Sequence, residues 1–343
     1  MNIERLIRKT GSLRKRLFTE TAVRTGLNIA KPSFICAKMT MECNSRCVHC
    51  DIWQTTYGEV ELSTVEWFRI LGELRSWLGR FRMVFTGGEA LLRKDLPEIL
   101  SHAVRLGIDV ELLSNGIIID SQLAARLVAM GLEQITVSYD GITAEVHDRF
   151  RGAPGYHAAT TAAIRALVLE RQAQQKSLKI LLKTVISANN LPQLSNIAEF
   201  ARELGVQVRY QPIEQNYGEA FDQHWYRQSH LWVDDLPLLR QELQTLKLMK
   251  DGGTGIIENQ TEEFDFFLNY FKKPESLMET VQAHDNRVRK GFCPSAFGNF
   301  VIESSGDVRM CFRMESIGNV AVTKPEKIWK ERKRCWRGDC GLR

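Results

Sequence analysis

The sequence has no apolar run approaching the length that spans a bilayer, and no apolar signal segment with a cleavage site is visible. Neither a membrane-spanning helix nor a secretory signal is therefore expected. Internal repeats, a Walker loop and any recognisable nucleic-acid module are also missing, which sets aside P-loop NTPases and nucleic-acid partners. Cysteine, by contrast, is not scarce, with eight in 343 residues. A chain of this length buries a full core without disulfide staples, so the cysteines read as thiols of a reducing, cytoplasmic setting.

Three of them stand in Cys43-Asn44-Ser45-Arg46-Cys47-Val48-His49-Cys50, with no fourth ligand close by. A structural zinc site takes four closed tetrahedral ligands, and an electron-transfer iron–sulfur cluster normally takes four cysteines. A CxxxCxxC trio therefore suggests a cubane with one iron left open. Chemistry takes place at such an open position. Zinc on Cys43, Cys47, Cys50 and His49 is the structural alternative, although adjacent His49 and Cys50 make an awkward pair around one tetrahedral ion. Cys36 lies inside the apolar run Phe34-Ile35-Cys36-Ala37 and reads as packing.

From residue 34 to 212 short strand-like runs alternate with amphipathic helical patterns. Strands are expected at 34–39, 81–86, 108–113, 134–138, 179–186 and 206–211, with helices near 64–78, 95–106, 121–130, 157–173 and 193–204. This α/β alternation implies a parallel sheet with right-handed crossovers, and six units are too few to close an eight-stranded barrel. The expected fold is a partial (β/α)6 TIM barrel whose active face carries the loops after the strand ends. Alternation within the strands separates Ile135, Val137 and Tyr139 from Thr136 and Ser138, Ile180, Leu182 and Ile186 from Lys179 and Lys183, and Val206, Val208 and Tyr210 from Gln207, Arg209 and Gln211. If the apolar faces pack on helices, Thr136, Ser138, Lys183, Arg209 and Gln211 line a polar lumen able to hold a ligand. Lys183 and Arg209 are its catalytic candidates. The alternative is that both snorkel to water from strand ends.

Thr86-Gly87-Gly88-Glu89 follows the second strand, Ser114-Asn115-Gly116 the third, and Ser138-Tyr139-Asp140-Gly141 the fourth. Paired glycines admit close backbone approach, and a carboxylate accepts from an ammonium group. Each loop alone reads as an ordinary turn. Together with the cysteine trio and its ring residue His49, over the whole span 34–212, they resemble the radical S-adenosylmethionine (radical SAM) superfamily.

That resemblance implies that Cys43, Cys47 and Cys50 ligate a [4Fe–4S] cluster whose fourth iron is chelated by S-adenosylmethionine. Glu89 would accept from the methionyl amine, with Gly87 and Gly88 shaping that edge. Asn115 and Ser138 would contact ribose and methionyl groups, and Gln211 joins the cofactor-binding set. In His147-Asp148-Arg149-Phe150-Arg151-Gly152, Arg151 would take the methionyl carboxylate, with Arg149 in reserve. Ala90 stands where many members have proline, and Tyr139 where an aliphatic residue is common. The implied reaction cleaves S-adenosylmethionine reductively to a 5′-deoxyadenosyl radical, with an external one-electron donor of flavodoxin or ferredoxin type. The substrate is read as a peptide or protein, against a small molecule, lipid or carbohydrate, or a non-enzymatic zinc module.

The domains read as a basic amphipathic arm (1–31), the barrel (32–213), a helical linker (214–292) and a small cysteine-rich extension (293–343). The linker carries helices near 234–250 and 261–272 with an aromatic stripe of core type. The extension holds Cys293, Cys311, Cys335 and Cys340, a hairpin around Ser305-Gly306-Asp307 and a helix near Trp329. It resembles the SPASM or twitch extensions of radical SAM enzymes, which implies a second, auxiliary [4Fe–4S] cluster on those four cysteines; four thiolates also suit closed zinc. Cys335 and Cys340 are separated by four residues rather than the usual two. The arm carries eight of the chain's 46 basic residues against Glu4 and Glu20, leaving the body slightly acidic in a chain of net charge +5. It suits the barrel's own edge, a leader peptide or an anionic membrane surface.

Overall fold

A computed structural model describes residues 21, 30–54, 60–216, 218–220, 222, 224–274 and 298–332. The expected alternation is present. The strands are β1 (Phe34–Lys38), β2 (Arg82–Thr86), β3 (Asp109–Ser114), β4 (Gln134–Ser138), β5 (Lys179–Ile186) and β6 (Gln207–Pro212), each parallel to the next. Between them run α1 (Thr64–Leu78), α2 (Leu96–Arg105), α3 (Ser121–Ala129), α4 (Ala144–Arg151), α5 (Tyr156–Ala173) and α6 (Leu194–Glu203). The arrangement is the parallel α/β sheet of a partial TIM barrel.

Local chemistry explains the elements. In α1 the Ser63 and Glu66 side chains form a capping box, and Trp67, Ile70, Leu71 and Leu74 bury one helical stripe. Sequence patterning gave no sign of α4. Its eight residues, AEVHDRFR, hold too few apolar positions for a periodic signal, yet they include the His147–Arg151 motif. Ile35, Ala37, Met83, Phe85, Val110, Leu112, Ile135 and Val137 join the main core with the helices. Cys36, Val84 and Val301 form a separate small cluster on the opposite, inner face, packed with Leu113 and Phe312. Burial pushes the Cys36 thiol up to about 12, as suits a packing residue.

Both sheet edges are covered. Beyond β1 lie β7 (Asn299–Ile302), parallel to it, and then antiparallel β8 (Asp307–Arg309) and β9 (Gly318–Asn319), followed by α9 (Pro325–Glu331). The extension therefore continues the barrel sheet. At the other edge, residues 256–259 run along β6, joined by Val208 N to Ile256 O (2.9 Å) and Glu258 N to Val208 O (2.9 Å). Fully buried Asn259 completes that pairing, accepting from Tyr210 N at 2.7 Å and donating to Tyr210 O at 2.9 Å. Around it α7 (Leu236–Asp251) and α8 (Thr261–Lys272) pack on each other, and Tyr270 donates to Ile213 O at 2.6 Å. The segment expected as a linker is thus part of the barrel wall where described. The basic arm before residue 30, apart from Thr21, and Cys293, Cys335 and Cys340 lie outside the described residues.

Asn259→Ala removes two buried hydrogen bonds and leaves both Tyr210 backbone groups unpaired, so unfolding in urea should show a loss of about 2–4 kcal/mol.

Candidate active site

The cysteine loop leaves β1 at the C-terminal end of the sheet and is held at the backbone from two sides. On the β2 side, Gly88 N donates to Thr40 O (2.8 Å) and Glu89 N to Glu42 O (2.7 Å). A Cβ on Gly87 would stand 2.2 Å from Thr40 O, and one on Gly88 2.2 Å from Glu42 O; Gly87 also has φ +146°. The paired glycines are thus required by the approach of two protein backbones. On the α4 side, Arg46 N donates to Arg151 O (3.2 Å) and Val48 N to Phe150 O (3.0 Å). Gly152, at φ +86°, lies where a Cβ would meet Arg46 O at 2.2 Å.

The three thiols are free, with Cys47 buried and Cys43 and Cys50 half-buried. Burial raises the Cys43 thiol above its ordinary value and pushes Cys50 up to about 11, so both stay protonated at neutral pH until a metal displaces the proton. Among the described residues no group of three or more His, Cys, Asp or Glu side chains is arranged around a single metal ion. This donor set, three thiols on one loop, fits a multi-iron cluster with an open position. The Arg151 guanidinium points at Cys47 Sγ from 3.7 Å, a cation suited to thiolate charge.

Arg151 does not stand open to a ligand. It is 7 % exposed and ion-paired with fully buried Asp140. Burial alone would lower its pKa, but Asp140 and Cys47 outweigh that and raise it. Its Nε has no partner in the buried interior. The guanidinium expected to take a methionyl carboxylate thus already holds a buried carboxylate of the protein. Arg149 is exposed on the far side of α4, bonded to Glu145.

Glu89 is likewise committed. Its carboxylate accepts from Leu91 N (3.1 Å), Ser114 Oγ (2.9 Å) and Asn115 N (2.7 Å), and burial raises its pKa against those donors. Asn115 donates through Nδ2 to Asn44 Oδ1 (2.7 Å) and Ser45 Oγ (3.1 Å). These two residues, expected as cofactor contacts, tie the β3 end to the cysteine loop. Arg209, expected in the lumen, pairs with Glu258 (3.5 Å) and Glu263 (2.8 Å) at the covered edge, and its side chain is 42 % exposed. Gln211 is half-buried in register with Val185. Ser138 and Lys183 are direct neighbours across β4 and β5. Cys311 is half-buried, just beyond β8.

Some site residues gave no sequence signal. Asp140 was legible only as part of a turn, and Tyr156, which donates to Asn44 O at 2.5 Å, not at all. His147 was legible only within a motif; its Nδ1 accepts from Asp140 N at 3.3 Å. The His49 ring stacks on Phe150 at 4.3 Å, its Nδ1 is buried without a partner, and burial holds it neutral, well below the ordinary histidine pKa. That face opens on a cavity of about 400 Å³ lined by Val48, His49, Ile213, Glu214, Trp225 and His230, among others. The cavity thus borders the cysteine loop at Val48 and His49.

Residues 38–170 match the radical SAM superfamily. Over that span, less than half of the chain, it is similar to this superfamily. An AdoMet-dependent heme synthase of Methanosarcina barkeri is 34 % identical over 175 residues, 51 % of this chain and 48 % of that protein. A PqqA peptide cyclase of Granulibacter bethesdensis is 29 % identical over 178 residues, 52 % of this chain and 46 % of that protein. The chain thus spans about half the length of the curated relatives it matches. Among solved structures, Streptococcus suis SuiB bound to its precursor peptide SuiA superposes with a TM-score of 0.68 at 13 % identity, covering 96 % of this chain and 70 % of that one. The radical SAM fold implies a [4Fe–4S] cluster and S-adenosylmethionine.

The neutral, fully packed His147 supplies a pH test. Burial, Arg151 and His157 depress its pKa from 6.5 to about 2, so unfolding takes up a proton on acidification. Its contribution is complete above the unfolded value and fades as pH falls toward the folded one. Between about pH 7 and about pH 5 the protein should lose about 2 kcal/mol through this residue, and His147→Asn, assayed by denaturant unfolding, should lose that much less.

Proposed function

We propose that the chain is a radical SAM enzyme that modifies a peptide or protein, with Cys43, Cys47 and Cys50 as the ligands of its [4Fe–4S] cluster. The observation that carries this reading is the clamped loop with three free thiols, whose Val48 and His49 border the cavity. Cys43, Cys47 and Cys50 would hold the cluster, which would supply the one-electron chemistry for reductive cleavage of S-adenosylmethionine.

The remaining work is done by the chain's own residues. The Gly87–Gly88 backbone forms the edge offered to the methionyl amine, while Glu89 and Asn115 hold the loop that presents it. Arg151, anchored on Asp140, balances thiolate charge at Cys47. Neutral His49, with Ile213, Glu214, Trp225 and Leu231, bounds the space in which the substrate is positioned and kept from water. Cys311, with Cys293, Cys335 and Cys340, is proposed to hold an auxiliary [4Fe–4S] cluster, with a flavodoxin or ferredoxin type protein as external donor. The setting is a reducing, cytoplasmic one. Among the described residues no helix is long and apolar enough to cross a membrane. The basic arm is proposed as the contact for a leader peptide or membrane surface.

The relative named a peptide cyclase supports a peptide substrate. The relative named a heme synthase, 34 % identical over half the chain, favours a second reading as a small-molecule enzyme. Feeding deuterated cell extract, separated by size, distinguishes the two. Label in 5′-deoxyadenosine should come from the peptide fraction, and label from the small-metabolite fraction would favour the second.

After anaerobic reconstitution, replacing Cys43, Cys47 and Cys50 together by Ala should remove about four irons per chain and all 5′-deoxyadenosine formation. Cleavage persisting in that variant, or zinc bound by the wild type without cleavage, would end the radical reading.

A further inference from the structure

The loop after β6 brings charge of one sign to the cavity. Glu214, Glu219 and Asp222 line it, all three exposed, and no lysine or arginine is among the described residues that do. Glu219 accepts from Asn216 Nδ2 at 2.9 Å and Asp222 from His224 N at 2.8 Å; neither has an ion-pair partner among the described residues. Glu214 differs, because it lies within electrostatic reach of the buried Lys183 ammonium. Arg313 meets the loop at the carbonyls of Gln215, Asn216 and Glu219, at 3.0, 3.0 and 3.4 Å.

Local chemistry holds those two carboxylates in place. Buried Gln215 donates through Nε2 to Ala220 O at 2.8 Å and accepts from Asp222 N at 3.1 Å, which folds residues 215–222 back on themselves. Gly218 N donates to Asp51 Oδ2 at 2.6 Å, and a Cβ at Gly218 would stand 2.3 Å from that oxygen, so the loop is fixed to the residue after Cys50. Trp225 adds an indole to the same lining, set at 90° to buried Trp232 with ring centroids 5.6 Å apart. Among the described residues no three acidic, histidine or cysteine side chains converge as a metal ion requires. Separated carboxylates with no protein cation, and an aromatic ring among them, suit an ammonium or guanidinium group instead.

We propose that this wall selects a peptide segment carrying a lysine or arginine side chain, with Glu219 and Asp222 as its specificity-determining residues. The assignment rests on the peptide-modifying reading above and narrows it. Val48 and His49, between Cys47 and Cys50, line the same cavity, so a basic residue held there lies close in sequence to the residue that is modified. Each exposed carboxylate contributes modestly, but a cleft lined by one sign of charge focuses its field on the group that enters. The same wall excludes an acidic segment by repulsion. A small free amine has the same charge chemistry, and the experiment separates the two sources.

Anaerobically reconstituted full chain is given S-adenosylmethionine, dithionite and the peptide fraction of a deuterated cell extract in three forms. One is untreated, one has its lysines converted to homoarginine, which keeps the charge, and one is blocked with acetic anhydride and cyclohexanedione, which removes lysine and arginine charge. Deuterium in 5′-deoxyadenosine is read by mass spectrometry. Blocking should lower the initial rate of label transfer about tenfold, and conversion to homoarginine should leave most of it. Raising salt from about 0.05 M to about 0.5 M should shrink the difference. Glu219→Gln with Asp222→Asn should transfer label from the untreated fraction about as slowly as wild type does from the blocked one, and Glu219→Lys with Asp222→Lys more slowly still. Should those variants fail to fold by circular dichroism, the wild-type response to blocking and to salt decides. Equal transfer from blocked and untreated fractions would overturn this proposal alone. Label from the small-metabolite fraction instead, or unlabelled 5′-deoxyadenosine from both fractions, would overturn the peptide reading and this proposal with it. No 5′-deoxyadenosine in any reaction would overturn the radical SAM reading itself.

Discussion

Asp140 and Arg151 form a buried ion pair beneath the cysteine loop, and much of the active face is arranged around it. Asp140 also accepts from Val185 N at 2.8 Å, donates its own N–H to His147, and receives Asn190 Nδ2 on its carbonyl at 2.9 Å. One residue thus joins the end of β4, the body of β5, α4 and the turn before α6. Arg151 carries the positive end of the pair up to Cys47 and lends its carbonyl to Arg46. Removing either partner would leave a charge in a dry interior, which commonly costs about 3–5 kcal/mol. The pair is weak evidence for added stability, and strong evidence that these elements must arrive in one arrangement.

Backbone proximity is the second constraint. The cysteine loop touches its neighbours through main-chain groups, and the glycines at 87, 88 and 152 are the positions where a Cβ would fall inside a carbonyl oxygen. A loop held this way keeps its side chains free for other partners. The thiols of Cys43 and Cys50 remain accessible while the polypeptide that carries them does not shift. The same economy appears in Glu89, whose carboxylate gathers three donors and ends up as scaffold.

The extension bears on the site through the sheet. Because β7 pairs in parallel with β1, the strand that launches the cysteine loop is internal to a continuous sheet. Lys38, at the end of β1, pairs with Glu303, which also faces Arg309 at 3.5 Å, and lies over the Phe312 ring at 4.9 Å. Arg313 donates to the carbonyls of Gln215 and Asn216 at 3.0 Å each, so the extension also steadies the cavity wall after β6.

Period-two and period-3.6 patterns were enough to locate the six parallel strands and five of the barrel helices, because each buries one face against a common core. The cysteine spacing was equally legible, since metal-binding loops use residues near in sequence. Glu89, Asn115, Arg151 and Arg209 were legible as polar residues at strand ends, but what they touch was not. Their partners, Ser114, Asn44, Asp140 and Glu263, lie up to dozens of residues away, and only the closing of the sheet decides whether a charged group meets an internal counter-charge or an open cavity. The pairing of β7 with β1, and of residues 256–259 with β6, was hidden for the same reason. A strand's pattern records that one face is buried, whereas its hydrogen-bonding edges carry no side-chain signature, so the neighbour is chosen by tertiary structure.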